Sequence, residues 1–360
     1  MKQKRVNLCF IGHIGNGEAY DGQTIRTRLL LSEFEKTNLF NIHLVDTSIA
    51  YKHRMIFLFK LFFNCILYKR VFLITSDRGT HFIFKFFRFI RIFRRNFIFN
   101  SVVGGSFHKN KSKKDIVISS KFIVNWVQTE KLKNELVSLS IKNAEVIPNY
   151  RNNEPIFNLG FKLNEGDTFD FCMFSRVSED KGMTDAIDTI KKINFDFGKK
   201  IAHLHIYGRI EEPYKEKFDN LIKENSKFVT YYGAIDQSLA PNELKKYFCL
   251  LFPTYWEGEG FPGTVLDAFF AGIPVIASDW NCNSEVVENE INGYIYPNDK
   301  MGSLYDAIKY AIENKDEFVA MRKKCNEAAF IYKCKNQIYK MTDLMIKSNK
   351  ELKERMANFK

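Results

Sequence analysis

The stretch Trp256-Glu257-Gly258-Glu259-Gly260-Phe261-Pro262-Gly263-Thr264-Val265-Leu266-Asp267 decides how this chain is read. It sets Glu259 at the mouth of a Gly/Pro turn and Asp267 eight positions later, in a segment that reads as a helix. Ala268 to Gly272 then leads into the short apolar strand Ile273-Pro274-Val275-Ile276-Ala277-Ser278. Loop, helix, small-residue stop and buried strand make one turn of an α/β sheet. Pro262 falls near the first helical turn, where its missing N–H would be unpaired in any case. The glycines let another molecule approach the backbone closely. The free N–H groups around Gly263 and Thr264 form a site for a phosphate. A carboxylate beside them accepts hydrogen bonds from hydroxyls. Sugar hydroxyls together with a diphosphate describe a nucleotide-sugar. Alone, such a turn serves structure more often than function, and its neighbours in the sequence shift the balance.

About ninety residues earlier lies Phe169-Asp170-Phe171-Cys172-Met173-Phe174-Ser175-Arg176-Val177-Ser178-Glu179-Asp180-Lys181-Gly182. It reads as an apolar strand, a polar loop and a helix from about Met183. Arg176 and Lys181 flank the loop at the carboxyl end of the strand, where open α/β sheets bind their ligands. Two cations there can clamp a diphosphate, Arg by its planar fork and Lys as a point charge.

Together these motifs resemble the retaining glycosyltransferases of family 4, which adopt the GT-B fold. That family carries an Arg…Lys-Gly pattern after the first strand of its C-terminal domain, here Arg176…Lys181-Gly182. Its Glu, seven residues, Glu motif reads here Glu259…Asp267, the second acid being one methylene shorter. Glu257 is a rival first acid, but eight residues on from it stands Val265. Val146-Ile147-Pro148-Asn149, Ile206-Tyr207-Gly208 and Asn292-Gly293-Tyr294-Ile295-Tyr296 extend the resemblance over most of residues 120 to 315.

The resemblance implies two Rossmann-like parallel-sheet domains facing across a cleft. The N-terminal acceptor domain is expected over 1–155 and the nucleotide-sugar domain over 165–334, with a helix at about 335–360 packing back on the first. It implies a UDP-linked sugar as donor and transfer to an acceptor hydroxyl with retention. Arg176 and Lys181 would meet the diphosphate, with Phe261, Pro262, Gly263 and Thr264 around it. Glu259 would hold donor hydroxyls, and Asp267 would bind the ribose or orient the loop. The backbone at Gly208, Arg209 and Gly233-Ala234 would edge the base. In the N-terminal half, Gly15 in Gly12-His13-Ile14-Gly15-Asn16-Gly17 and Gly22 would face the cleft, if that loop is more than a structural turn. His108, after Val102-Val103-Gly104-Gly105, is either a solvated loop histidine or a group near the reacting sugar. No Asp-x-Asp occurs and no His/Asp spacing suits a metal, so neither metal nor other cofactor is expected and charge on the leaving group falls to cations and a helix N-terminus.

Length and composition agree with two domains of ordinary size. Of 360 residues, 45% are hydrophobic, enough for two cores. The seven cysteines show no C-x-x-C spacing and read as buried thiols of a reducing compartment. Neither a secretory leader nor an eighteen-residue apolar run is legible. Strands are expected near 5–11, 41–46, 71–75, 97–103 and 122–128 in the first half. In the second they fall near 169–174, 201–207, 228–232, 249–252, 274–277 and 293–296. Helices alternate with them, and one long helix is expected over 315–356.

Charge is uneven. Residues 1–150 hold 25 Lys/Arg against 10 Asp/Glu, and residues 51–100 hold 11 against the single acid Asp77. Within Thr80 to Arg95, Lys85, Arg88, Arg91, Arg94 and Arg95 fall at near-helical spacing between Phe and Ile. This is either an ordinary sheet-covering helix or an interfacial helix docking on anionic lipid, and Tyr51–Arg70 has the same character. The second reading makes the protein peripheral on the cytoplasmic face of the membrane, with a lipid-linked glycan as acceptor in capsule, O-antigen or lipopolysaccharide assembly. The competing readings are a soluble sugar acceptor, or a basic nucleic-acid-binding protein. Against the latter, no nucleic-acid module is recognisable, so no nucleic-acid partner is expected.

Overall fold

The computed structural model describes residues 5–15, 22–51, 53–75, 77–92, 95–104, 112–157, 160–298 and 302–359. The chain divides into two units, Met1–Asn152 with Cys334–Lys360, and Asn153–Lys333.

The first unit opens with β1 (Val6–Gly12), α1 (Gly22–Lys36), β2 (Phe40–Asp46), α2 (Arg54–Leu67), β3 (Arg70–Thr75) and α3 (Asp77–Phe89). It continues with β4 (Phe97–Val102), α4 (Lys113–Ser119), β5 (Val124–Val127), α5 (Glu130–Ser138) and β6 (Ala144–Val146). The strands pair in parallel in the order β2-β1-β3-β4-β5-β6. Their near-continuous apolar runs, such as Val71 to Ile74, suit strands covered on both faces. Phe57, Leu61, Phe84, Phe87, Ile118 and Leu132 fill one face.

The second unit contains β7 (Phe169–Phe174), α6 (Met183–Asp196), β8 (Ala202–Tyr207), α7 (Lys215–Glu224), β9 (Val229–Tyr231) and α8 (Ala240–Leu244). Then come β10 (Cys249–Phe252), α9 (Gly263–Ala271), β11 (Val275–Ser278), β12 (Gly293–Tyr296), α10 (Ser303–Glu313) and α11 (Lys315–Ile331). Its parallel order is β12-β11-β10-β7-β8-β9. The chain winds from β7 outward to β9, then returns to start again at β10 beside β7. From β7 and β10 the chain therefore runs to opposite sides of the sheet, which puts the switch point, where such sheets bind ligands, at the carboxyl edge between these two strands. Gly272, in the left-handed region at φ +67°, ends α9.

The chain then returns to the first unit as α12 (Cys334–Ile346) and α13 (Asn349–Ala357). Ile338, Met341, Met345 and Leu352 join Leu8, Phe10, Leu30 and Phe34 in the core of the sheet's other face. The single helix expected over 315–356 is thus three helices. It breaks around Tyr332–Lys333 and Lys347–Ser348, where Ser348 caps α13 in a reciprocal box with Glu351. The short α4 and β6 were not anticipated.

The cationic segment is also corrected. α3 stops at Phe89, and Arg91 follows in the left-handed region at φ +52°, so Arg91 and Arg95 do not continue the stripe of Lys85. Arg88 does not point free to a surface. It pairs with Asp115, which is fully buried and also takes a 2.8 Å hydrogen bond from His81. Burial pushes that carboxyl up, but the hydrogen bonds from Ser112, Arg88 and His81 outweigh it and leave the group below its ordinary range. Ile83, Phe84 and Phe87 cover the sheet. Arg94 lies outside the described residues. All seven cysteines are free and buried.

Candidate functional site

The loop after β7 runs Ser175 to Gly182, and the loop after β10 runs Pro253 to Pro262. They meet at the crevice of the second sheet. Two glycines make the geometry possible. Gly182 sits at φ +73°, where a Cβ would come within 2.2 Å of the Pro253 carbonyl oxygen. Gly208, ending β8, sits at φ +148°, where a Cβ would overlap the Ser175 carbonyl oxygen at 1.7 Å. A side chain at Gly182 would drive the two loops apart, and one at Gly208 would push the end of β8 away from the β7 loop.

Across this crevice Lys181 pairs with Glu259, the two side chains only 7% and 9% exposed. Thr254 donates its hydroxyl to the same carboxylate at 3.2 Å. Burial lowers the Lys181 pKa, against the pull of Glu259. The Lys181 ammonium also stands 4.4 Å from the centroid of Trp256, and the Arg176 guanidinium 4.8 Å from it. Arg176 pairs in turn with Glu211 on a half-exposed rim. Both expected cations therefore converge on one indole, each held by an acid. Glu257, the rival, is exposed. Of the two acids, Glu259 is the buried one.

The helix start lies alongside. Pro262 precedes α9, and the Thr264 hydroxyl donates to the Phe174 carbonyl oxygen at the end of β7. Phe261 is buried against Tyr332, ring centroids 5.4 Å apart. Asp267, one turn into α9, is 1% exposed and accepts from the Gln237 amide at 3.4 Å. As placed, it braces the Gln237 segment after β9. Gly208 donates to the Gly233 carbonyl and accepts from the Tyr231 hydroxyl, while Arg209 and Ala234 are exposed beside them.

In the first unit Gly15 follows β1 at φ +68°. The residue before it is fixed twice, Ile14 N–H donating to Asp46 at 3.1 Å and its carbonyl accepting from Arg28 at 2.7 Å. Gly22 begins α1, and a Cβ there would meet nothing within 4 Å. His108 lies outside the described residues. His203 and His205 share one face of β8. His205 bonds Asp170 and Tyr232, and His203 bonds Thr230. Burial, then the charges of His205 and Lys200, push the His203 pKa down to about 4. Among the described residues no group of three or more His, Cys, Asp or Glu side chains could hold a metal ion.

Sequence reasoning missed Glu211, Thr254, Gln237 and the role of Trp256. Trp256 stood in the quoted motif, and its two cations were already named. Glu211 is 35 positions from Arg176 with no local rule joining them.

Comparison with known proteins places this geometry. Residues 158–331 match the family profile described as Glycosyl transferases group 1. An uncharacterized glycosyltransferase of Methanocaldococcus jannaschii, MJ1178, is 27% identical over 220 residues. That alignment covers 60% of this chain and 55% of the relative, so the chain spans about half the length of that protein. Among solved structures, Anabaena HepE in complex with UDP superposes with a TM-score of 0.70 at 12% identity, covering 94% of this chain and 99% of that one. Sucrose-phosphate synthase from Thermosynechococcus elongatus gives 0.72 at 14% identity, covering 94% and 98%. The two six-stranded parallel sheets are those of the GT-B fold, and nearly all of the profile match falls in the second unit.

Proposed function

We propose that this chain is a retaining, metal-independent glycosyltransferase that moves a sugar from a UDP-linked donor to an acceptor hydroxyl. The observation that carries the reading is the buried Lys181–Glu259 pair beside Arg176 and Trp256. It lies at the switch point of a parallel sheet, inside the segment that matches the glycosyltransferase profile. The neighbouring Anabaena HepE has been solved with UDP and with UDP-glucose, which supports UDP as the nucleotide here.

Arg176 and Lys181 are each neutralised by a carboxylate. A diphosphate entering the crevice offers Arg176 and Lys181 oxygens in place of Glu211 and Glu259, together with the first N–H groups of α9. Glu259, released from Lys181, turns its oxygens to the donor-sugar hydroxyls. As the bond from the anomeric carbon to the phosphate oxygen breaks, negative charge grows on the departing UDP, where these groups are already aimed. The acceptor oxygen bonds the anomeric carbon on the same face, and its proton passes to the departing phosphate oxygen. Asp267 and Gln237 hold the loop after β9 that would edge the base.

The acceptor is proposed to be a lipid-linked glycan at the cytoplasmic membrane face, as in surface-polysaccharide assembly, on the strength of the basic first 150 residues. A panel of nucleotide-sugars assayed for UDP release, with and without EDTA, tests the reading. Release from at least one donor, unchanged by chelation, is the expected result. Release that needs added Mn²⁺ or Mg²⁺ would overturn the leaving-group assignment, and no binding of any nucleotide-sugar would overturn the function.

A further inference from the structure

The α2 helix faces the wrong way for an ordinary surface helix. It turns Phe57, Leu61 and Cys65 inward at i, i+4 and i+8, and these are buried in the first unit's core. Met55, Ile56, Phe59, Phe62, Phe63, Ile66 and Leu67 point out, 38% to 67% exposed. Those seven are more than a third of the nineteen exposed large apolar side chains among the described residues, on one helix of 14 residues. A helix covering a core normally shows solvent a polar face. Here only Arg54, Lys60 and Asn64 are polar.

The outward side chains form one continuous surface. Phe59 and Phe63 stack at 6.4 Å between centroids, and Phe62 meets Phe63 edge-on at 5.7 Å. α3 lies beside it, since Phe57 contacts Phe82 and Arg54 stands 5.7 Å over the Phe82 ring. Further along α3, Phe89 is 86% exposed and Lys85 is exposed. Lys60, Lys69, Lys85, Arg91 and Arg95 are exposed on the same stretch of chain. Contiguous apolar surface of this kind marks an interaction site.

We infer that the outward face of α2, with Phe89, seats in the interfacial layer of an anionic lipid bilayer. The apolar side chains enter the acyl boundary and the flanking cations sit at headgroup level. Charge selects this occupant. A second copy docking by the same face would set this cationic stretch against itself, as a two-fold interface must. An anionic membrane meets both the apolar ridge and the positive flank. Length excludes spanning. At about 1.5 Å per residue the helix is roughly 21 Å long, short of a hydrocarbon core of about 30 Å, and no helix among the described residues is long and apolar enough to cross.

This inference deepens the proposal of a membrane-borne acceptor and rests on it only for the acceptor's location. It also changes the device. Attachment depends on apolar insertion by α2 more than on a cationic stripe along α3, whose Arg88 is already committed to Asp115.

The experiment is co-sedimentation of the full chain with vesicles of phosphatidylcholine alone and of phosphatidylcholine with phosphatidylglycerol, at low and high salt. It uses the wild type, Phe59→Ser/Phe63→Ser/Ile66→Ser, and Lys60→Glu/Lys85→Glu. The wild type should bind anionic vesicles in preference to neutral ones. The apolar triple variant should lose at least about a hundredfold in affinity at both salt concentrations. The charge variant should lose about tenfold or more at low salt and little at high salt. All three positions of the triple variant are exposed, so its thermal midpoint should not fall, and UDP release from the second unit should be unchanged. Wild-type protein that ignores anionic vesicles overturns the inference, as does a triple variant that binds like wild type. So does a wild-type dimer that the triple variant turns into a monomer without change in vesicle binding. Loss of vesicle binding with intact UDP release separates this surface from the transferase reading, and vesicle binding without any donor use would sink the transferase reading alone.

Discussion

Removing either member of the Lys181–Glu259 pair strands the other in a site where both are less than a tenth exposed. Breaking a buried pair by deleting one partner costs about 3–5 kcal/mol. Lys181→Met belongs at the upper end, because Glu259 keeps only the Thr254 hydroxyl among its described hydrogen-bond donors. Glu259→Gln belongs at the lower end. Burial already lowers the Lys181 pKa, so the stranded lysine can shed its proton. For a unit of this size each kcal/mol moves the midpoint by roughly 2–4 °C, giving losses of roughly 6–20 °C. Replacing the whole pair by neutral groups of similar volume is often nearly neutral, so Lys181→Met/Glu259→Gln should regain at least about half of the larger loss. Calorimetry on the four proteins measures the coupling, and UDP release should be lost in all three variants by about 10²-fold or more. A double variant as unstable as the sum of the singles would refute the pairing. Unimpaired UDP release in either single variant would refute the site.

Arg176→Ala should cost about 10²-fold in turnover, on the order of 3 kcal/mol for a preorganised charge contact, with the fold intact because its pair with Glu211 is half exposed. Steady-state UDP release checks it. Glu257→Gln should leave turnover within about twofold, since Glu257 is exposed and a surface substitution of this kind perturbs little. An effect equal to that of Glu259→Gln would show the register to be wrong. Asp115 has a depressed pKa, so its stabilisation is present above the ordinary carboxylate range and is lost as pH falls through the lower, folded value. Asp115→Asn should therefore flatten the acid side of the stability–pH profile in urea titrations, and should cost most near neutral pH.

The second unit was legible where stereochemistry forces residue type. Gly182 and Gly208 sit where a Cβ would strike a carbonyl oxygen, and Pro262 opens a helix. Such positions leave a sequence signal at fixed spacing from the charges they serve. Partners joined only by tertiary packing leave none, as with Glu211 on Arg176 and Gln237 on Asp267. The same limit applied to α2. A helix apolar nearly all round has no periodic stripe that says which side meets the sheet, so only the packed structure shows that Phe57, Leu61 and Cys65 turn in and the other side stays out. The cationic stripe of α3 failed for a different reason. Its spacing was helical, but a left-handed residue at Arg91 ended the regular geometry before the pattern did.

The stitched composition of the first unit sets an order of events on the ribosome. Residues 334–357, which cover the face built on Leu8, Phe10, Leu30 and Phe34, are made after the whole of Asn153–Lys333. At about 5–20 residues per second, the intervening unit takes roughly 10–40 s to synthesise. The contiguous second unit holds every element of its own core once Lys333 has been added. The first emerges earlier yet must wait with an apolar sheet face uncovered until α12 and α13 arrive. Nascent chains ended at Lys333 and carried clear of the ribosome by an added linker should therefore hold a protease-resistant second unit and a protease-sensitive first one, inverting the usual N-terminal-first sequence of domain folding.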